Sequence, residues 1–422
     1  MEPMEDENNR DGVIVGIDLG QENTFVSYYV QGMEEPDTIS TVMGSETFQI
    51  PTALAKKKGL GQWFFGNDAL SQVRLSMAVA ADGFLEKAWN NEKLFLDSEE
   101  YEARDLLSVY IKKLLTLPVI GFQKRPLSKL VIAMEHMDRR VHETFVSVCR
   151  RLSIEPDRLL LIDYSESFYY YALSQKPELY RSDVLLFDYN GGRLMHCLLT
   201  RNRNTTPETV NLTSGNDGEL LENRDRDFDE ILARFFDERT ISSVFLIGSG
   251  FDGDWMKVSL QRMLRTTRVF MGKNLYSKGA CYAGIVERAD IDWPFVYIGD
   301  NELKVNISLK VLDRNEMKFV TLLTAGDNWY DTKGECEAIL DGSPEIECWL
   351  QRPDERKAEV FSIPLSDMPK RENRTSRLRI EAAPVSDTEV KITVRDLGFG
   401  EISPQTKKTW TTNVKASEGR IF

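Results

Sequence analysis

The chain has 422 residues, 41% hydrophobic and 28% charged; this is ordinary globular usage and excludes collagen-like, disulfide-scaffold and wholly disordered chains. Its 53 basic and 67 acidic side chains leave a formal net charge of −14, so the surface as a whole repels nucleic acid and anionic lipid. An anionic ligand must therefore be held locally, by backbone amides, a metal or a small basic patch.

The elements are read in chain order. Residues 1–11 are polar and mostly acidic, with no apolar stretch, so no secretory signal is expected and a frayed terminus is. Residues 13–30 read as a buried strand ending at Asp18, a polar turn through Gly20, Gln21 and Asn23, and a returning strand from Thr24. A third strand is expected near 48–55. Asp97 and Glu100 have the spacing of a capping box ahead of an apolar-periodic helix ending near Leu117, with Pro118 as its stop. A strand over 129–134, a helix over 138–152, a strand over 158–162 and a helix over 165–175 follow.

Residues 184–199 repeat the opening unit: a strand ending at Asp188, a turn holding Gly191, Gly192 and Arg193, and a second strand. Asp18 and Asp188 then occupy equivalent strand ends. Residues 201–207 are a loop, 228–236 a helix, and 243–247 a strand leading into the turn Gly248, Ser249, Gly250. Helices are expected from about Trp255 and over 277–288. After Pro294 the pattern changes to strands over 303–312, 318–324, 360–365, 377–382 and 389–394, which read as a separate sandwich-like β domain. The expected division is 12–180, 181–291 and 295–411, with flexible termini at 1–11 and 412–422. No apolar run reaches about 18 residues, so no membrane helix is expected. Five scattered cysteines without a Cys-x-x-Cys pair fit free thiols in a reducing cytoplasm. With only three histidines, a zinc site is not expected; His136 and His142 read as structural.

The paired strand–Asp–turn–strand units point to a nucleotide cleft. Each turn can aim backbone N–H groups at phosphates. The two carboxylates would repel phosphate, so their role there is to hold magnesium through its waters. The turn 248–250, between a strand and a helix, has the form of a nucleotide-binding loop. Arg262, Arg265, Arg268, Lys273 and Lys278 lie in a stretch without acids and form either a solvated helix face and loop or a contact for a nucleotide or partner. The rings of Phe168, Tyr169, Tyr170 and Tyr171 are expected to pack on a sheet.

In this order the pieces resemble the actin / heat-shock chaperone / sugar kinase ATPase superfamily, and most of all the ATPase domain of the heat-shock-protein-70 chaperones. Asp18, Leu19, Gly20, Gln21, Asn23 and Thr24 are similar to the first phosphate loop. Ile50, Pro51 and Thr52, then Gly66 and Ala69, resemble two further family motifs. Asp188, Gly191, Gly192 and Arg193 are similar to the second phosphate loop, and Gly248, Ser249 and Gly250 to the adenosine loop. Gly279, Ala283 and Gly284 resemble the helix that closes the fold. The turn at 250–255 together with 272–282 resembles a bacterial family of unknown function built on the same fold. The resemblance spans roughly 12–290. It implies a duplicated ribonuclease-H-like α/β fold with a reduced second lobe, binding ATP and magnesium through Asp18 and Asp188. Asp163, with Glu166 near it, falls at the family's catalytic glutamate, and Lys87 lies in the region of its lysine. It also implies that the β domain binds a protein or peptide under control of the nucleotide.

Four positions depart from the pattern: Gln21 and Arg193 replace threonines, Asn190 replaces a glycine, and Asp163 is one methylene shorter than the glutamate. They lead to an expectation of binding with weak hydrolysis, or of a pseudo-ATPase scaffold. A filament subunit and a sugar kinase are the lesser alternatives. Nucleic acid and membrane are not expected partners.

Overall fold

A computed structural model describes residues 12–41, 45–117, 125–288, 291–299, 301–353, 355, 357–401 and 403–415. Pro118 and the segments 1–11 and 416–422, expected to be a helix stop and frayed ends, lie outside the described residues. The chain divides into two compact units. One is 1–200 with 212–293; the other is 201–211 with 294–422.

The first unit opens with β1 (Val13–Leu19) and β2 (Asn23–Tyr29), then β3 (Asp37–Thr38), β4 (Ile50–Pro51), β5 (Leu54–Lys57) and β6 (Trp63–Phe65). After α1 (Gly66–Arg74) come β7 (Ala78–Ala80), α2 (Phe84–Trp89), β8 (Lys93–Leu96), β9 (Glu99–Glu102) and α3 (Ala103–Leu115). The expected capping box at Asp97 is replaced by a hairpin. Leu96 pairs with Glu99, Asp97 and Ser98 have φ of 51° and 66°, and α3 starts only at Ala103. Asp97 instead accepts the Gly59 N–H at 2.7 Å. Two positive φ values are what a tight two-residue hairpin needs, and the short polar side chain of Asp tolerates that region well.

Strand β10 (Leu127–Met134), α4 (Arg139–Leu152), β11 (Leu159–Asp163) and α5 (Tyr164–Leu173) complete the first half. Asp138 caps α4 by accepting the Val141 N–H at 2.9 Å. Val141, Phe145 and Val148, at helical spacing, are buried in the core shared with α2 and α3.

The second half runs β12 (Asp183–Asn190), β13 (Arg193–Asn202), β14 (Glu208–Glu219), α6 (Arg224–Glu238), β15 (Ile241–Ile247), α7 (Val258–Leu264), β16 (Arg268–Gly272) and α8 (Leu275–Glu287). Phe228, Ile231 and Leu232 of α6 are buried against β12 and β15 side chains. Strand β16 was not expected; its segment carries exposed residues on both faces and so lacks a strand's alternation.

The two main sheets share one layout. The first orders its strands β3-β2-β1-β10-β11 and the second β14-β13-β12-β15-β16. In each, an antiparallel hairpin (β1 with β2, β12 with β13) is flanked by two parallel strands. In each, a helix starts within a few residues of the last strand, α5 after β11 and α8 after β16. Parallel pairing needs a crossover, and the segments bearing α1 to α4, and α6 with α7, supply it. The unit is thus mixed α/β, built from the same supersecondary plan used twice.

The second unit holds β17 (Phe295–Tyr297), which pairs in parallel with Glu208–Val210 at the head of β14. It continues with β18 (Asn306–Asp313), β19 (Glu316–Leu323), β20 (Gly334–Ile339), β21 (Glu345–Gln351), β22 (Glu359–Pro364), β23 (Arg377–Pro384), β24 (Glu389–Asp396) and β25 (Thr409–Lys415). Two four-stranded sheets, β19-β18-β21-β22 and β20-β23-β24-β25, share one core. On β24, Val390, Ile392 and Val394 face in while Lys391 and Thr393 face out, the period-two pattern of a half-buried strand. Residues 412–415, expected in a flexible terminus, are paired within β25.

Candidate functional site

Strand β1 delivers Asp18 to the end of the first hairpin, and β12 delivers Asp188 to the same place in the second. Their neighbours across the parallel ladder are Ala133 and Ile247. The structure brings the two aspartates to one place: Tyr164 bonds Asp18, Tyr276 bonds Asp188, the two rings stack on each other, and the Asp188 charge acts on Asp18. Burial pushes the Asp18 carboxyl up to about 7, the Tyr164 hydrogen bond pulls it down, and Asp188 adds to the rise. Burial likewise takes Asp188 up to about 6. Hydrogen bonds from Asn190 and Tyr276 oppose the rise, Glu135 adds to it, and Arg193 counters it.

Each aspartate is met by a tyrosine from the helix that ends its own half. The Tyr164 hydroxyl, at the first residue of α5, donates to Asp18 Oδ1 at 2.7 Å. The Tyr276 hydroxyl, at the second residue of α8, donates to Asp188 Oδ2 at 3.4 Å. The two rings stack on each other, centroids 3.9 Å apart and planes 3° from parallel. Burial raises both hydroxyls well above the ordinary tyrosine range, and the nearby carboxylates raise them further, so both tyrosines are neutral donors. Sequence reading missed this pair. Its only signal is position, since each tyrosine opens the helix after the last parallel strand of its half.

The second loop is a two-residue turn. Asn190 pairs with Arg193, and Gly191 and Gly192 have φ of 56° and 80°, as a type I′ turn requires. Arg193 is exposed and points to Glu135, 3.7 Å away. Asn190 reaches the other way. Its amide donates to Asp188 Oδ1 at 2.6 Å and accepts the Ser249 N–H at 3.0 Å. The loop of Gly248, Ser249 and Gly250 therefore has one of its amides satisfied by the chain itself. Gly248 has φ of 97°, and a Cβ there would lie 2.5 Å from the Tyr189 carbonyl, so the close approach requires glycine. The Gly250 carbonyl accepts from Arg224 at 2.6 Å and from the Trp255 indole at 3.1 Å. Beyond it, Asp225 accepts the N–H groups of Lys257, Val258 and Ser259 and the Ser259 hydroxyl. Burial would raise Asp225, but these donors outweigh it and bring the carboxyl to about 2.

The other expected site residues are placed as follows. Thr24 is buried, bonded to Thr52 at 2.9 Å and to the Tyr110 hydroxyl at 3.0 Å, so it braces the first hairpin rather than facing the turn. Thr52 in turn donates to the Gly20 carbonyl, and the Gly20 N–H closes the loop on the Asn23 carbonyl. Gln21 is exposed at the loop tip. Asp163 caps α5 by accepting the Glu166 N–H at 2.8 Å, which engages the carboxylate assigned to catalysis. Lys87 donates to the Asp82 carbonyl at 3.3 Å. The basic stretch is not a free patch. Arg262 forks onto Asp229 at 2.6 and 2.8 Å, Lys273 meets Asp252, Lys278 meets Glu35 and Arg268 meets Glu178. Those acids lie outside the stretch, so the sequence hid the neutralisation. Among the described residues, no group of three or more His, Cys, Asp or Glu side chains has the placement to hold a metal. The five cysteines are free thiols. No helix among the described residues is long and apolar enough to cross a membrane.

These features define a mixed α/β protein with a duplicated sheet plan, paired aspartates between its halves and a strand-rich C-terminal region. Residues 35–300 match the model described as the C-terminal part of a family of unknown function (DUF5716), and the chain belongs to that family. Residues 302–416 match a domain of unknown function (DUF8552). No curated protein matches the chain.

Proposed function

We propose that the first unit is a pseudo-ATPase: a scaffold of the actin / heat-shock chaperone ATPase type, a duplicated ribonuclease-H-like fold, that does not turn over nucleotide. The observation carrying this reading is the stacked Tyr164–Tyr276 pair, with a hydroxyl on each of the two aspartates that a magnesium ion would need. Burial raises both carboxyls, Asp18 to about 7 and Asp188 to about 6, and so weakens their charge as magnesium ligands below those values. Asn190 on Ser249 and Asp225 on the amides of 257–259 add to it, since both take donors that phosphate or adenosine would use. Arg193 turns to Glu135 and restores no group that orients water. In this reading Gly20, Gln21, Asn23, Gly191 and Gly192 keep the loop shape without its ligand, and the C-terminal β region is the part that meets a protein or peptide. The free thiols support placing it in the cytoplasm.

A second reading, ATP and magnesium bound with slow hydrolysis, draws on one fact: two buried carboxylates repel each other, and a cation between them would relieve it. Calorimetry of the full chain with magnesium and ATP separates the two. The scaffold reading expects no heat of binding up to millimolar ATP and no phosphate release. Micromolar binding overturns it in favour of the second reading, and turnover of about 1 per second or faster, an ordinary enzyme rate, overturns both.

A further inference from the structure

Away from the aspartates, the first unit keeps an open space beside the first loop. A cavity of about 320 Å³ lies among the first-loop tip, β5, α1 and the turn into α2. Small side chains create it: Ala53, Ala55, Ala69, Ala80 and Ala81 are all part of its wall. Ala53, Val73 and Ala80, half-buried, and Leu70, exposed, give it an accessible apolar floor, with Leu54, Ala55, Ala69, Phe84 and Leu85 packed behind them. An empty apolar void forfeits contacts on every lining atom.

The rim has a different chemistry. Gln21 and Asp82 are among the cavity's lining residues, and both are exposed. Thr52, also at the wall, has its hydroxyl engaged by Gly20 and Thr24. Lys87 bonds to the Asp82 carbonyl. The site is therefore an apolar pocket with one negative group and one amide at its mouth, the usual plan of a small-molecule site.

We propose that this cavity binds a compact apolar amine, its hydrocarbon body on the alanine floor and its ammonium group at Asp82 with Gln21 beside it. At roughly 30 Å³ for each water-sized group, the space takes a body of about ten non-hydrogen atoms. The site shares Gln21 with the first loop and includes neither aspartate.

The probes are 2-phenylethylamine, 3-phenylpropanoate and 3-phenylpropan-1-ol, similar in size and carrying cationic, anionic and neutral heads. Each is titrated into the full chain at low salt and followed by calorimetry and by protein NMR. The amine is expected to bind in the millimolar range or tighter, at least tenfold more strongly than the carboxylate. Asp82→Asn, at an exposed position, is expected to remove that preference while leaving the alcohol's affinity within about twofold. Ala69→Leu is expected to abolish binding of all three. Because Ala69 is buried, Ala80→Val, on the half-buried part of the wall, is the second cavity-filling variant, and each variant's fold is checked by circular dichroism. No binding to the wild type up to roughly 10 mM overturns the proposal. So does an amine that binds no better than the carboxylate, or binding unchanged in both cavity-filling variants.

Discussion

Replacing Asp18 by Asn tests the central electrostatic reasoning. Asp18 is 5% exposed and its carboxyl sits at about 7, against 3.8 when unperturbed. The folded chain therefore binds this proton more tightly than the unfolded chain does. Between those two values the unfolded state carries fewer protons, so stability falls as pH rises. The contribution is fully present below about 4 and is lost as pH rises through about 7. The difference, 7 minus 3.8, is about 3 units, which at about 1.4 kcal/mol per unit sets a ceiling of about 4 kcal/mol. Asn cannot ionise and keeps an oxygen to accept the Tyr164 hydroxyl. Asp18→Asn should thus be more stable than the wild type at pH 8 by about 2 to 4 kcal/mol, and close to it at pH 4.5. Urea unfolding of the full chain at half-unit pH steps, followed by tryptophan fluorescence, reads the two curves. The reasoning is refuted if the variant is less stable at pH 8, or if both proteins show the same slope between pH 5 and 8. A magnesium-holding aspartate predicts the opposite sign in 10 mM magnesium, a concentration chosen at about the level that saturates ordinary sites.

Four further outcomes follow from named contacts. Tyr164→Phe removes the hydroxyl from Asp18 and should raise its titration midpoint further, shifting the falling limb of the stability curve to higher pH; an unchanged curve would falsify the assigned hydrogen bond. Asp225→Ala leaves three amide donors without their acceptor and should cost about 1 to 2 kcal/mol at pH 7. Asp225 is held low, at about 2, so its contribution should persist down to about pH 4 and disappear as pH falls through 2, which acid unfolding of wild type and variant can compare. A fragment of residues 301–416 contains the whole buried cluster of the two C-terminal sheets and should give a β-rich, cooperatively unfolding product; a non-cooperative melt by circular dichroism would count against it. Within it, Asp396→Ala leaves the buried Arg371 guanidinium without its bidentate partner, at 2.7 and 2.8 Å, and should cost about 3 to 5 kcal/mol.

What the sequence made legible is what depends on local pattern. The strands ending at Asp18 and Asp188 are apolar runs closed by a polar turn, and both hairpins form where that pattern places them. The helices Arg139–Leu152 and Arg224–Glu238 have apolar residues at helical spacing, and the C-terminal strands β18, β19 and β22 to β24 alternate or run apolar. What misled was a local motif with two possible uses. Asp97 and Glu100 fit a capping box by spacing, but Asp97 and Ser98 instead form the turn of a hairpin. The strand Arg268–Gly272 went unread because both of its faces are largely exposed; the parallel ladder to β15 holds it, and a ladder leaves no trace in side-chain period. The basic stretch was left open between a solvated face and a ligand contact for a related reason. Charge counted along the chain ignores acids that arrive from elsewhere, such as Asp229 from α6.

The site shows the same division more sharply. The two aspartates were found because each ends a strand of the same repeated unit. Asp163 was given a catalytic role from its place after a strand, yet that place is also where a helix cap belongs, and the Glu166 amide takes its carboxylate. Tyr164 and Tyr276 are 112 positions apart by their numbering and share no motif. They become a pair only when α5 and α8 pack together, bringing Ser167 to within 2.7 Å of the Tyr276 carbonyl. Stacking needs both rings, and each hydroxyl needs its own aspartate. Duplication supplies both at once, because the helix after the last strand stands in the same relation to the strand-end carboxylate in each half. In this chain each strand-end carboxylate is met by a tyrosine of its own half. Opening the site therefore takes both rings: Tyr164→Ala or Tyr276→Ala alone leaves one hydroxyl on its carboxylate, and only the double variant exposes both aspartates. If magnesium-dependent ATP binding appears in the double variant and in neither single one, the rings are what excludes the ligand. If the double variant stays silent, the exclusion rests with Asn190 and Asp225, which hold the amides of the remaining loops.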